Sequence, residues 1–128
     1  VFKTPDNVGV APIICYESVF GDFCTEYVRN GANLLAIITN DGWWGDTPGY
    51  KNHFNYAKLR AIETRRWLVR SANTGISGVI DRRAMYTNVW GGGYRALFVV
   101  RFTRSRSKRS MSSGAIILGA PLISVFLV

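Results

Sequence analysis

After Asp81 the chain has no acidic residue, and over its whole length it has two cysteines and one histidine. Cys15 and Cys24 are too few for a disulfide framework and lack the spacing of a zinc site. Long apolar runs are also missing. Gly114 to Val128 is the most extended one, and at 15 residues it falls short of the roughly 20 needed to cross a bilayer. Val1 to Asp6 holds no apolar stretch of the kind that marks a secretory leader. The chain opens without Met in what reads as a loop, so it is expected to be an internal fragment. A hydrophobic content of 48% against 19% charged residues excludes a disordered chain and leaves a globular or membrane-associated one.

The charge is unevenly spread. Through Arg83 there are ten basic and eight acidic residues; from Ala84 onward there are six basic residues and no acid. The two parts therefore call for separate readings, 1–83 and 84–128.

In the first part, Val8 to Ile14 is an apolar run suited to a strand buried on both faces. Pro12 removes a ladder donor and suits an edge or a strand end. Ser18 to Arg29 reads as a helix with Ser18 as N-cap, and Asn30-Gly31 supplies its stop. Leu34 to Thr39 is a second β-branched run. Asn40 to Tyr50, with three Gly and one Pro, has loop chemistry. A longer helix is expected from Lys51 to Arg66, with Phe54, Ala57, Ala61 and Ile62 inward and Lys58, Arg65 and Arg66 outward. Ile76 to Ile80 is a third strand, entered through Asn73-Thr74-Gly75. Strands alternating with helices point to an α/β layer built from crossover units. Beyond Tyr86 no sustained period of either kind remains.

Cys15 falls where a buried strand gives way to a helix. Strand-to-helix turns at the carboxyl ends of strands are where open α/β sheets bind ligands. A helix start would place N–H groups and partial positive charge beside the sulfur, favouring the reactive thiolate and able to hold an oxyanion. Position alone leaves open that Cys15 is a small buried hydrophobe. Cys24 lacks that context and reads as structural. Trp43 and Trp44, flanked by Gly42, Gly45 and Asp46, read as an exposed loop. His53, beside Phe54 on a helix face, reads as a packing residue, not a base. Glu63 is expected to pair with Arg60 or Arg66.

Five motifs then occur in order: Ile14-Cys15-Tyr16-Glu17-Ser18, Thr39-Asn40-Asp41-Gly42-Trp43-Trp44-Gly45, His53-Phe54, Arg60-Ala61-Ile62-Glu63, and Arg70 through Ser77. Over residues 8 to 83 this set resembles the nitrilase-like catalytic domain of the apolipoprotein N-acyltransferase family, within the carbon–nitrogen hydrolase superfamily. The resemblance implies an α/β fold, a fragment of a four-layer α-β-β-α sandwich. It implies acyl transfer through a Cys15 thioester, from a phospholipid donor to the amino-terminal amine of a diacylglyceryl apolipoprotein. Tyr16 would lend its backbone N–H to the oxyanion, Glu17 would organise the pocket, and Trp43 would border the path of the lipid. No cofactor, metal or nucleic acid is implied. The implied setting is the bacterial inner membrane, reached through other parts of the protein, with the catalytic domain facing the periplasm.

The family's Glu and Lys partners belong to sequence before its cysteine and are not among these residues, so this polypeptide alone is expected to be inactive. The tail departs from the family pattern. Codons exist for Gly114 to Ala120 that, read in a shifted frame, spell the family's Gly-Asp-Tyr-Ile-Gly-Arg; a frameshift between Arg83 and Gly91 is therefore expected. The basic stretch Arg104 to Ser110 could otherwise contact phosphates, and the apolar end could begin a membrane helix. Two rival functions stay open: a soluble amidase or nitrilase that releases acid to water, and a non-enzymatic basic module that binds polyanions.

Overall fold

A computed structural model describes residues 1–5, 7–91, 98–102, 114–118 and 126–127, with side chains described as far as Tyr86. Six strands form one sheet in chain order: β1 (Phe2–Lys3), β2 (Gly9–Ile14), β3 (Leu34–Thr39), β4 (Trp67–Ala72), β5 (Ile76–Ile80) and β6 (Tyr86–Gly91). Helix α1 (Gly21–Arg29) joins β2 to β3, and α2 (Gly49–Thr64) joins β3 to β4. Strands β2, β3 and β4 run parallel, while β4–β5 and β5–β6 are antiparallel. A helix can return the chain to the same end of the sheet; the short link from β4 to β5 cannot, so that pair is a hairpin.

Strand period explains how the sheet is buried on both faces. Ala11, Ile13, Leu35, Ile37, Leu68 and Ile80 point to one side and pack with Cys24, Phe54, Ala57 and Ala61 from the helices. Their neighbours Val10, Leu34, Ala36, Val69 and Val79 point to the other side and form a separate cluster with Val8 and Trp67. Successive side chains of a strand alternate faces, so continuous apolar runs such as Leu34–Ile38 supply both clusters at once. Pro12 is tolerated because β1 pairs only with Gly9 and Val10, leaving that side of β2 open from Ala11 onward among the described residues.

Several expectations need correction. Ser18 is not a helix cap: Cys15–Val19 is a 3-10 turn, and α1 begins at Gly21 after Phe20, with no side-chain cap. Ile62 is 45% exposed, and the inner face of α2 is instead His53, Phe54, Ala57, Arg60, Ala61 and Thr64. Helix α2 also starts two residues earlier than expected, behind Pro48, whose fixed φ suits a helix start. Strand β4 had no counterpart in the sequence reading, because Arg70 interrupts its apolar run. Glu63 does pair with Arg60, at 3.0 Å.

In the second part, β7 (Phe98–Phe102), β8 (Gly114–Leu118) and β9 (Phe126–Leu127) pair antiparallel as a second sheet. Gly114–Leu118 is thus a strand, not the start of a membrane helix, in keeping with its adjacent β-branched Ile116 and Ile117. The basic stretch Arg104 to Ser110 lies outside the described residues. No helix among the described residues is long and apolar enough to cross a membrane.

Candidate active site

The parallel strands β2, β3 and β4 end side by side, with Ile14 opposite Ile38 and Thr39 opposite Ala72. Residues just beyond these ends converge, at the rim where parallel sheets present ligand-binding groups. Cys15 follows β2, Thr39 closes β3, Asp41 follows it, and Asn73 follows β4.

Cys15 has φ +52°, a left-handed conformation that costs a non-glycine residue about 1–2 kcal/mol. Three contacts hold it there. The Glu17 carboxylate accepts from the Ile14 N–H at 2.7 Å, Ser18 Oγ donates to the Cys15 carbonyl at 2.9 Å, and His53 Nε2 lies 3.2 Å from that same carbonyl. The sulfur is turned toward Thr39, whose hydroxyl donates to it across 3.3 Å. The long helix dipole expected behind the sulfur is not in that place, because only the short 3-10 turn follows Cys15 directly.

Under this turn lies a charged cluster that the sequence reading did not assemble. Arg70 Nη2 donates to both Asp41 oxygens, at 2.9 and 2.8 Å, and His53 Nδ1 is 3.0 Å from Oδ1. All three side chains are buried. His53 Nε2 lies 3.1 Å from Ser18 Oγ and 3.2 Å from the Cys15 carbonyl, so the ring bridges Asp41 and the Cys15 turn. Burial pushes the Asp41 carboxyl up, but the His53 hydrogen bond and the Arg70 charge together outweigh it and hold it below the usual range. Burial lowers Arg70 in turn, and Asp41 opposes that. Arg70 Nη1 also donates to the Ile76 carbonyl, tying the cluster to the β4–β5 hairpin. Asn73 accepts from the Asp41 N–H at 3.2 Å.

His53 is therefore buried as expected, yet its contacts are polar and specific. What could have signalled this is the presence of Asp41, His53 and Arg70 in three of the ordered motifs; nothing in strand or helix period distinguishes them. Tyr16 is 52% exposed and packs edge-to-face on Phe20, with its ring centroid 6.0 Å from that of His53. Trp43 projects into solvent at 82% exposure, as the loop composition predicts, whereas Trp44 folds back against Gly49. Cys24 is fully buried, and burial raises its thiol to about 11, which makes it a poor nucleophile.

Residues 1–99 match the family described as carbon-nitrogen hydrolase. An apolipoprotein N-acyltransferase of Sinorhizobium medicae is 44% identical over 97 residues, covering 76% of this chain and 18% of that protein. The enzyme of that name from Agrobacterium fabrum is 51% identical over 77 residues, covering 60% and 14%. The chain thus spans less than a fifth of the length of these curated relatives. Among solved structures, an amidase from Nesterenkonia sp. AN1 superposes with a TM-score of 0.58 at 17% identity, covering 70% of this chain and 37% of the amidase. That likeness concerns the fold, and it makes the sheet and its two helices part of a nitrilase-type α-β-β-α sandwich.

Proposed function

This chain belongs to the carbon-nitrogen hydrolase family, and from that premise we propose that it carries the nucleophile of an N-acyltransferase acting on lipoproteins. The observation that carries the reading is the setting of Cys15. It is a strained residue at the carboxyl end of β2 with a hydroxyl aimed at its sulfur, within a segment 44% identical to an apolipoprotein N-acyltransferase.

In the first step the Cys15 thiolate attacks an ester carbonyl of a phospholipid. The C–S bond forms, the ester C–O bond breaks, and the lysophospholipid leaves with a proton. In the second, the amino-terminal amine of a diacylglyceryl apolipoprotein attacks the thioester; a C–N bond forms, the amine gives up a proton, and the thiolate returns. A thioester divides one hard transfer into two easier ones. The Tyr16 N–H supplies an oxyanion contact, Glu17 fixes the turn through Ile14, and exposed Trp43 meets the lipid. The protein works at the bacterial inner membrane, with this domain on the periplasmic side. Residues 1–83 form the catalytic part, and 84–128 are a tail altered by a frameshift, which the coding DNA would reveal.

The test uses the full-length protein with radiolabelled phospholipid and a diacylglyceryl peptide. Label should appear on Cys15 as a hydroxylamine-sensitive thioester and then move to the peptide amine. Undiminished transfer by Cys15→Ser would overturn the reading. Release of free fatty acid with no peptide acylation would favour a hydrolase instead.

A further inference from the structure

We propose that Thr39 is a further catalytic residue, whose hydroxyl donates to the Cys15 sulfur while that is a thiolate and turns to Asp41 once the sulfur is acylated. The inference rests on the reading of Cys15 as nucleophile.

The parallel register sets the pair up: Ile14 lies opposite Ile38, so the residues that follow them, Cys15 and Thr39, meet at the sheet's rim. Thr39 is 6% exposed, so water cannot readily satisfy its hydroxyl. That hydroxyl has two acceptors at the same distance, Cys15 Sγ at 3.3 Å and Asp41 Oδ1 at 3.3 Å. It has one proton to give. A thiolate is a charged acceptor and competes well with a carboxylate, whereas a thioester sulfur is neutral and competes poorly. Acylation therefore removes the reason for the first bond and leaves the second. Asp41 is a fixed receiver, because Arg70 and His53 hold its carboxylate in place.

Other ionisable groups sit on the elements around Cys15, Asp41 among them just beyond β3. Glu17 and Tyr16 belong to its own turn, with the Glu17 carboxylate on the Ile14 N–H. His53 reaches the Cys15 carbonyl from α2, and Arg70, on β4, interacts electrostatically with Cys15. None of these is at hydrogen-bond distance from the sulfur among the described residues; Thr39 is. Removing its hydroxyl while keeping its shape therefore takes away the hydrogen bond to the sulfur, together with its alternative to Asp41.

The experiment follows iodoacetamide alkylation of Cys15 by mass spectrometry, in the full-length protein carrying Cys24→Ala, from neutral to alkaline pH. Loss of a charge-assisted hydrogen bond shifts thiolate formation by about one pH unit. The more basic thiolate is also the better nucleophile, with a Brønsted slope of about 0.4–0.5, so Thr39→Val should react about threefold slower at neutral pH and about threefold faster in alkali. Thr39→Ser should follow the parent profile. A Thr39→Val profile that superimposes on the parent, or lies below it by one factor at all pH values, would overturn the proposal. Should the Val variant not fold, Thr39→Ala carries the same comparison. If Cys15→Ala abolishes acyl transfer while Thr39→Val leaves the profile unmoved, only this inference fails. Acyl transfer that survives Cys15→Ala removes the reading beneath it.

Discussion

Both oxygens of Asp41 rest on a single nitrogen of Arg70, Nη2, at 2.9 and 2.8 Å, and neither side chain is reached by solvent. A buried pair of this kind adds little stability relative to apolar packing, but removing one member strands the other charge. Asp41→Asn is therefore expected to destabilise the fold by about 3–5 kcal/mol, read by urea unfolding. The same pair predicts an acid limit. The folded Asp41 carboxyl lies below its ordinary 3.8, so its contribution is complete above that value and lost as pH falls through the lower folded one. In Asp41→Asn that part of the acid dependence should be absent.

Gly75 guards the same cluster from the hairpin side. It has φ +81°, and a Cβ built there would sit 2.5 Å from Asp41 Oδ2 and 2.8 Å from Asp41 Cβ. Gly75→Ala thus combines an unfavourable left-handed backbone with a clash against a carboxylate that Arg70 keeps from moving. A loss of about 1–3 kcal/mol is expected, by analogy with other strained backbone sites. Because Asp41 also anchors His53, Cys15 alkylation should slow in this variant even where it remains folded. Unchanged stability and unchanged alkylation would contradict the geometry.

How far the sequence alone reached follows from which signals are local. Apolar runs marked β2, β3 and β5, and the Gly-rich stretch before α2 marked the connection bearing Trp43, although Asp41–Trp44 winds into a 3-10 turn there. Arg70 hid β4, since a buried cation inside a strand makes sense only once Asp41, 29 residues away, is seen beside it. Ile62 misled for the opposite reason. It continues the apolar pattern of α2, yet Arg60 takes the inward place, where its guanidinium lies against Gly21 and reaches Glu63. The place of Cys15, at the end of a buried strand and the start of a turn, was legible from the apolar run before it. Thr39 was not, because its importance rests on a parallel register that joins residues 24 apart.

The left-handed backbone of Cys15 predicts a conflict between stability and activity. Relieving that conformation should stabilise the fold, because glycine alone adopts it without penalty. Cys15→Gly is expected to be more stable than Cys15→Ala by about 1 kcal/mol, even though glycine ordinarily weakens a structured segment. Both variants lack the sulfur and should form no thioester. A thermal unfolding comparison of the two decides it, and a less stable glycine variant would show that the turn carries no strain.

Cys24 offers a probe of the core beneath the Cys15 turn. Its thiol is wholly enclosed among helix and sheet side chains, with Sγ 3.9 Å from the Glu17 carbonyl. Burial raises its ionisation from 9.0 to about 11, only partly opposed by the Arg60 charge. An unfolded chain ionises this thiol from 9.0 upward while the folded chain does so only near 11, so unfolding releases a proton in that window. Stability contributed by the neutral thiol is complete below 9.0 and lost as pH rises towards 11. The total change across the window is about 2–3 kcal/mol, taken at about 1.4 kcal/mol per pH unit. Every other group is common to the parent and Cys24→Ala, so the informative quantity is the difference between the two. The parent should lose more stability than the variant on going from neutral to alkaline pH. Parallel urea-unfolding curves for the two across that range would mean that this sulfur meets water in the folded protein.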